Sequence, residues 1–372
     1  MATEKKLIPQ LRHFTFSLTM ACNLKCKHCF VNAGIPLKWE VGTNDVISVI
    51  NQAIELGARS FSFTGGEVFL RRDLLEIIQF VKRKGCTIAF ETNGTLLTLD
   101  LLQKLKDIDP NIFFAVSLDG IKSETHDHFR GVPGSFNLTM KALQNLRKLG
   151  FSFQVITVLN TMNLEEIPQI TKFVLEELES AHRLLIMAEL GRAAANRDLI
   201  LTPAAIHAFL HNFFFEEMRK QQKLYGNAKR LHVDLPIALI PPDLKVAPIC
   251  NWGYGLMGMS PDGAIGLCER ISGAPGLIGG YVSKNTLREI WQSPFFEMLR
   301  QIGPSNLKGI CGNCLAASIC RGRCRSAAYY QFKDLYAPDP ICQAFYEAGL
   351  FPRYAMIDPT IECHYASEVG EN

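Results

Sequence analysis

Three cysteines stand within eight residues, Cys22, Cys26 and Cys29 in the run CNLKCKHCF, and no fourth follows nearby. Spaced i, i+4, i+7, they could share one helical face as small buried hydrophobes. Asn23, Lys25, Lys27 and His28 make the stretch too polar to bury easily. A structural zinc site asks for four protein ligands, usually as two pairs, and a catalytic one seldom uses three cysteines. Iron–sulfur clusters are held by thiolates, normally four for a four-iron cube. Three would leave one iron open to a ligand that is not protein.

The chain holds twelve cysteines, and between Phe30 and Cys250 there is only Cys86. Cys250, Cys268, Cys311, Cys314, Cys320, Cys324 and Cys342 crowd the other end in the pattern C-x12-G-x4-C, a gap, C-x2-C-x5-C-x3-C, a gap, C, the glycine being Gly263. CxxC pairs can bite one metal centre, and a loop-rich segment needs cross-links other than a large core; a zinc ribbon over Cys311–Cys324 is the competing reading. Cys86 reads as core, and Cys363, in the tail, as a stray thiol, a cluster ligand or a hydrogen-atom donor. The start, MATEKKLIPQLRH, has no signal-peptide pattern, so a cytoplasmic chain with reduced thiols is expected.

The elements that must position these residues alternate. HFTFSLT (13–19), SFSFTG (60–65), TIAFETNG (87–94), IFFAVSLDG (112–120), FSFQVITVL (151–159) and RLLIMAEL (183–190) read as strands. Helical periodicity fills 45–57, 73–85, 99–108, 136–150 and 163–179, with Gly57, Gly85 and Gly150 as stops. Such alternation predicts parallel strands joined by right-handed crossovers, an α/β sheet or barrel, with the first cysteines at the carboxyl end of the first strand. Six units are too few for a closed eight-fold barrel. Residues 203–225 read as one long amphipathic helix and the Pro-rich 236–248 as a linker. The expected domains are 10–200 (barrel), 201–247 (helical linker region), 248–350 (cysteine-rich) and 351–372 (tail).

With 48% hydrophobic and 20% charged residues, a net charge of +3 and no run of five or six like charges, nothing in the composition points to nucleic acid, and no apolar run reaches the about 18 residues of a membrane span.

CxxxCxxC with the aromatic His28 before its third cysteine resembles the radical S-adenosylmethionine (SAM) enzymes. FTGGEVFL (63–70) matches their GGE motif. TNG (92–94), SLDG (117–120) and GRAAANRD (191–198) follow the third, fourth and sixth strands as in that family. The resemblance implies a partial (β/α)6 barrel and a [4Fe–4S] cluster on Cys22, Cys26 and Cys29 whose open iron is chelated by SAM. Gly65 and Gly66 are expected to let backbone approach a ligand, and Glu67 to accept hydrogen bonds from the methionyl ammonium. Ser117 and Thr92 are implied to contact the ribose or carboxylate, Arg130 to pair with the carboxylate, and His28 and Leu190 to help form the SAM site.

The seven later cysteines resemble the SPASM domain of peptide- and protein-maturing members. By that resemblance Cys250, Cys268 and Cys324 hold a first auxiliary [4Fe–4S] cluster, Cys311, Cys314, Cys320 and Cys342 a second, and the chain carries three clusters. The sulfatase-maturing subset has a further cysteine soon after the first; residues 251–262 have none. Glu269 sits where some relatives carry a proton-accepting acid; a solvated charge is the plainer reading.

The expected function is reductive SAM cleavage by an external donor such as flavodoxin or ferredoxin, then hydrogen abstraction from a peptide or protein side chain, leading to cross-linking or oxidation. With 21 residues before Cys22, either a separate leader-binding protein presents the peptide or the substrate is of another kind. The rivals are a radical SAM enzyme of tetrapyrrole side chains, as in haem or haem d1 formation, and an iron–sulfur electron carrier without SAM chemistry.

Overall fold

The computed structural model describes residues 8–226, 230–244 and 250–365. The far end of the Pro-rich stretch, the first residues read for a signal peptide and the end of the tail lie outside them. All six expected strands form: β1 (His13–Ser17), β2 (Ser60–Thr64), β3 (Thr87–Thr92), β4 (Phe113–Ser117), β5 (Ser152–Leu159) and β6 (Ala181–Ile186). Each pairs in parallel with the next. Phe14, Phe16, Phe61, Phe63, Phe90 and Phe114 are fully buried in one core with helix residues such as Val49, Ile77 and Leu102. Because side chains alternate along a strand, Thr15, Ser62, Ala89 and Glu91 face the opposite side, the lumen.

Four further strands widen this sheet: β7 (Leu231–Val233), β8 (Leu256–Met259), β9 (Ala264–Gly266) and β10 (Ile278–Tyr281). The order is β10-β9-β8-β1-β2-β3-β4-β5-β6-β7, with β7 parallel to β6, β8 parallel to β1, and an antiparallel hairpin beyond. Among the described residues the sheet does not close on itself, so the barrel is partial. It also runs straight through the boundary expected at 248. β8–β10 carry Gly258, Gly266, Gly279 and Gly280, which hid their periodicity.

The expected helices appear as Thr43–Glu55, Leu74–Arg83, Leu99–Ile108 and Ser135–Leu149, with Gly57, Gly85 and Gly150 left-handed just beyond three of their ends. The stretch expected as one helix at 163–179 is a 3-10 turn, the helix Ile167–Lys172 and a π-turn Phe173–Glu177; 203–225 likewise carries a π-turn at Leu210–Phe214. The expected linker is packed where described, with Ala238, Leu239, Ile240 and Leu244 buried. Short helices, Gly309–Gly312, Ala317–Cys320, Arg325–Phe332 and Pro340–Glu347, carry the last cysteines. No described helix is long and apolar enough to cross a membrane.

Candidate functional site

The chain leaves β1 and folds back, so that Cys22 N donates to Gly34 O at 3.0 Å and Gly34 N to Met20 O at 2.8 Å. Cys26 is buried, Cys22 and Cys29 half-buried. Backbone donors already point at two sulfurs: Leu24 N to Cys22 Sγ and Ala33 N to Cys29 Sγ, both 3.4 Å. Other barrel loops clamp the stretch from outside. Lys25 N and Lys27 N donate to Arg130 O and Phe129 O. From the loop after β6, Arg192 Nε donates to Cys26 O (2.8 Å) and its Nη1 to Ala33 O (2.7 Å). A Cβ on Gly191 would come 2.4 Å from Cys29 O, so that residue must be glycine. Arg192 was not foreseen, since nothing in the sequence ties it to Cys26.

Gly65 and Gly66 admit a close approach of backbone. A Cβ on Gly66 would meet Ala21 O at 2.2 Å and one on Gly65 would meet Thr19 O at 2.6 Å; what comes close is the chain's own backbone. That contact fixes the loop, with Gly66 N bonded to Thr19 O and Glu67 N to Ala21 O. Glu67 is buried beside Cys22 and accepts from Thr92 Oγ1 (2.8 Å), Asn93 N (2.9 Å) and Phe69 N (3.2 Å). Burial pushes its pKa above the ordinary carboxylate range while those three bonds pull it back. Its remaining acceptor capacity, in a dry pocket, suits an ammonium donor. Thr92 Oγ1 donates to Glu67 and accepts from Gly94 N at 3.0 Å.

Arg130 is also committed. It is buried, pairs with Asp119 at 2.5 Å and reaches Cys26 Sγ at 3.7 Å, so a ligand carboxylate would compete with Asp119; its Nε has no partner among the described residues. Burial pushes the Cys26 thiol up and Arg130 opposes this. His28 stacks on Phe129, 4.4 Å between ring centroids, with a buried Nδ1 that has no partner among the described residues. Burial, then Arg130, Arg192 and His126, keep His28 neutral. Ser117 ends β4 and Leu190 starts the turn Gly191–Ala195; both are half-buried at the carboxyl end of the sheet.

The later cysteines fall into two groups. Cys250 and Cys268 both lie within electrostatic reach of Cys324. Arg321 sandwiched between Trp252 and Tyr254, 4.2 Å from each ring, draws the two chain segments together. Cys268 Sγ stands 3.5 Å from Ser326 Oγ and accepts from Arg270 N at 3.4 Å; Cys324 Sγ accepts from Ala327 N at 3.4 Å. In the other group Cys342 donates to Cys311, holding Cys311 below and Cys342 well above the ordinary thiol value. Cys314 and Cys320 lie within reach of Cys311. Buried Asp339 knits this group: its N–H donates to Cys311 Sγ (3.2 Å), its carboxylate accepts from Cys342 N and pairs with Arg323. Cys363 is buried too, accepting from Asn313 at 3.5 Å.

Gly258 on β8 abuts both Thr15 and the Cys268–Glu269 backbone, so the cysteine-rich part faces the lumen. Glu269 is buried and pairs with Arg270 at 3.3 Å, which replaces the solvated-charge reading. Arg270 lies 5.1 Å over the ring of Phe30, the residue after Cys29. Burial, then Glu269, raises the pKa of Glu91, and Arg270, Arg183 and Asp234 also act on it. Asp234 joins Arg183 (3.3 Å) to Arg323 (3.2 Å). Glu269, Arg270, Glu91, Arg183, Asp234 and Arg323 therefore form a succession of alternating charge. Glu91 and Asp234 carry no motif, so only the fold exposes them.

Among the described residues no three His, Cys, Asp or Glu side chains stand close enough to hold a single metal ion. A four-iron cube spreads its ligands around its corners, and the gathered thiols fit that larger object. Comparison with known proteins agrees. The radical SAM superfamily model matches residues 16–174, and the SPASM iron–sulfur cluster-binding domain matches 250–315. An AdoMet-dependent heme synthase of Methanosarcina barkeri is 30% identical over 89% of this chain and 96% of its own. Mycofactocin maturase MftC of Mycolicibacterium smegmatis is 26% identical over 88% and 81%. In fold, the chain is similar to Streptococcus suis SuiB bound to S-adenosylmethionine, with a TM-score of 0.70 at 18% identity, covering 90% of this chain and 78% of that one. The protein is a member of the radical SAM superfamily with a C-terminal SPASM domain, and SAM and [4Fe–4S] clusters are its cofactors.

Proposed function

We propose that this radical SAM enzyme modifies a carboxylate-bearing side chain of a tetrapyrrole. The observation that carries the reading is the similarity to a heme synthase along nearly the whole of both chains. Arg183, Arg270 and Arg323 are each paired with Asp234, Glu269 or Asp339, so a substrate carboxylate would bind there by exchanging with one of those acids. Cys22, Cys26 and Cys29 hold the first cluster, Cys250, Cys268 and Cys324 a second, and Cys311, Cys314, Cys320 and Cys342 a third, about twelve irons per chain. Glu67 receives the ammonium of SAM; Ser117, Leu190, His28 and the free Nε of Arg130 complete its pocket. When bound, the first cluster and SAM supply a carbon-centred radical that takes a hydrogen atom from an unactivated carbon. The chain's own part is to exclude water and to hold the substrate by exchange at the lumen arginines beside Glu269 and Glu91; if the substrate radical loses its carboxylate as CO2, the one electron released would pass to a cluster held by the later cysteines.

The expectation from sequence put a peptide first. The likeness to MftC keeps that reading, with a separate leader-binding protein as its helper. One experiment separates them. Anaerobically reconstituted enzyme with SAM and dithionite is offered a sirohaem derivative or a candidate peptide. Faster 5'-deoxyadenosine release with a matching mass loss from the tetrapyrrole is expected; stimulation by the peptide alone would reverse the assignment, and no release with either would favour an electron carrier.

A further inference from the structure

The loop that returns from Cys29 toward the first helix displays large apolar side chains to water. Ile35 is 87% exposed and Trp39 77%, with Leu37 exposed between them. This is a built loop: Glu40 Oε1 accepts from Leu37 N (3.0 Å) and from Met20 N (2.7 Å), pinning its two ends. Arg71 donates to Val41 O (2.9 Å) and Leu18 O (2.8 Å), which sets Leu70 and Arg72, both exposed, beside it. Exposed apolar side chains clustered in this way mark interaction sites, with tryptophan a frequent anchor.

Basic side chains stand on and beside the apolar rim. Lys38 lies 5.4 Å from the ring of Trp39, and Lys38 and Arg72 are exposed, as is Lys25 farther along the cysteine loop. The neighbouring carboxylates are spent internally: Glu40 on backbone donors, Asp73 on Arg71 and Thr43. Asp45 and Glu76, each in the first turn of a helix, are the exposed acids that flank it. The patch therefore suits a partner whose face is acidic with an apolar centre.

Its position says what the partner does. Ala33 N touches Cys29 Sγ at 3.4 Å. Two residues of extended chain span at most about 7 Å, so Ile35 is bound to lie close to that sulfur. We propose that the Ile35–Trp39 rim is the docking face for an acidic, low-potential one-electron carrier protein. The docked carrier gives up one electron and is oxidised by one; the cluster held by Cys22, Cys26 and Cys29 takes that electron. This rests on membership of the superfamily and is independent of the tetrapyrrole assignment, because its readout needs no substrate.

The test drives substrate-free SAM cleavage by the reconstituted holoenzyme in two ways, with dithionite and with flavodoxin kept reduced by NADPH and its reductase. Joint Ile35→Ser and Trp39→Ser, and separately Lys38→Glu with Arg72→Glu, should each slow the flavodoxin-driven rate about tenfold or more while leaving the dithionite rate unchanged. Added salt should slow the wild type with flavodoxin only. An undiminished flavodoxin rate overturns the proposal. So does an equal loss with dithionite, which would make the loop a mere support for the cysteines. A dimer seen in sedimentation of the wild type and abolished in the variants, or a raised substrate KM with flavodoxin unaffected, would give the face to a second copy or to substrate, and also overturns it.

Discussion

Cys22, Cys26 and Cys29 come from eight consecutive residues and are gripped by backbone from the loops after three other strands. Cys250, Cys268 and Cys324 come from distant segments, and Cys311, Cys314, Cys320 and Cys342 sit on or beside helices of one or two turns. Helices that short are not stable alone. In the barrel, covalent neighbourhood and hydrogen bonds such as Arg192 to Cys26 O shape the site beforehand. In the cysteine-rich part the work falls to buried polar groups. Arg325 donates to Leu335 O, Ala337 O and Gly322 O, and Asp339 ties Cys311 to Cys342. The difference leads to the expectation that the first site is folded before its iron arrives, whereas the short helices around the later cysteines gain further order from iron.

The sharpest way to break this contrast is by cysteine. Cys26→Ala should abolish 5'-deoxyadenosine release, whereas Cys324→Ala should keep substrate-free SAM cleavage within about tenfold, under 1.4 kcal/mol of barrel perturbation, and lose product. If both variants are equally dead, the two regions are not separable. Next comes iron removal. Hydrogen exchange after chelation should rise steeply over Gly309–Gly312, Ala317–Cys320 and Pro340–Glu347, with β1–β6 still protected; uniform protection would mean the helices need no cluster.

Glu67→Gln keeps the shape but replaces a charged acceptor. The loss of a charge-assisted bond, about 1.5–3 kcal/mol, should weaken SAM binding roughly 10- to 100-fold, read by equilibrium dialysis, with iron content intact. Asp339→Asn should do the reverse, lowering iron content and sparing SAM affinity. The smallest effect is in acid. Burial drives His126 and His182, both in the barrel half, down to about 3. A folded-state pKa below the free value means that the unfolded chain binds more protons as pH falls through 6.5 toward 3, so stability is full above pH 6.5 and lost below it. By pH 5.5 each should cost about 1 kcal/mol. His126→Gln and His182→Gln should flatten that slope in urea titrations.

The barrel strands were legible because phenylalanines alternate with small polar residues in β1 and β2 and because β-branched and aliphatic runs mark the later ones. The helix Ser123–Arg130 was not, for SETHDHFR offers Phe129 as its lone apolar residue and no period to read. The cysteines of both ends were legible as a count and a spacing, and Glu67 as a motif. Thr92 and Arg130 were read toward SAM because each stands in a familiar run; the fold adds what no run announces, their bonds to Glu67 and Asp119. Glu91, Arg183 and Asp234 were invisible, since their meaning lies in which face of a strand or loop end they occupy.

The pairing of β8 with β1 has a consequence for how the chain comes into being. On a ribosome β1 emerges early and finds β2, but its other edge waits for residues 256–259. An unpaired parallel edge rich in phenylalanine is a template for wrong partners. The nascent barrel is thus most exposed to aggregation through the synthesis of some two hundred residues, and truncated chains ending before β8 should be the ones that chaperones hold.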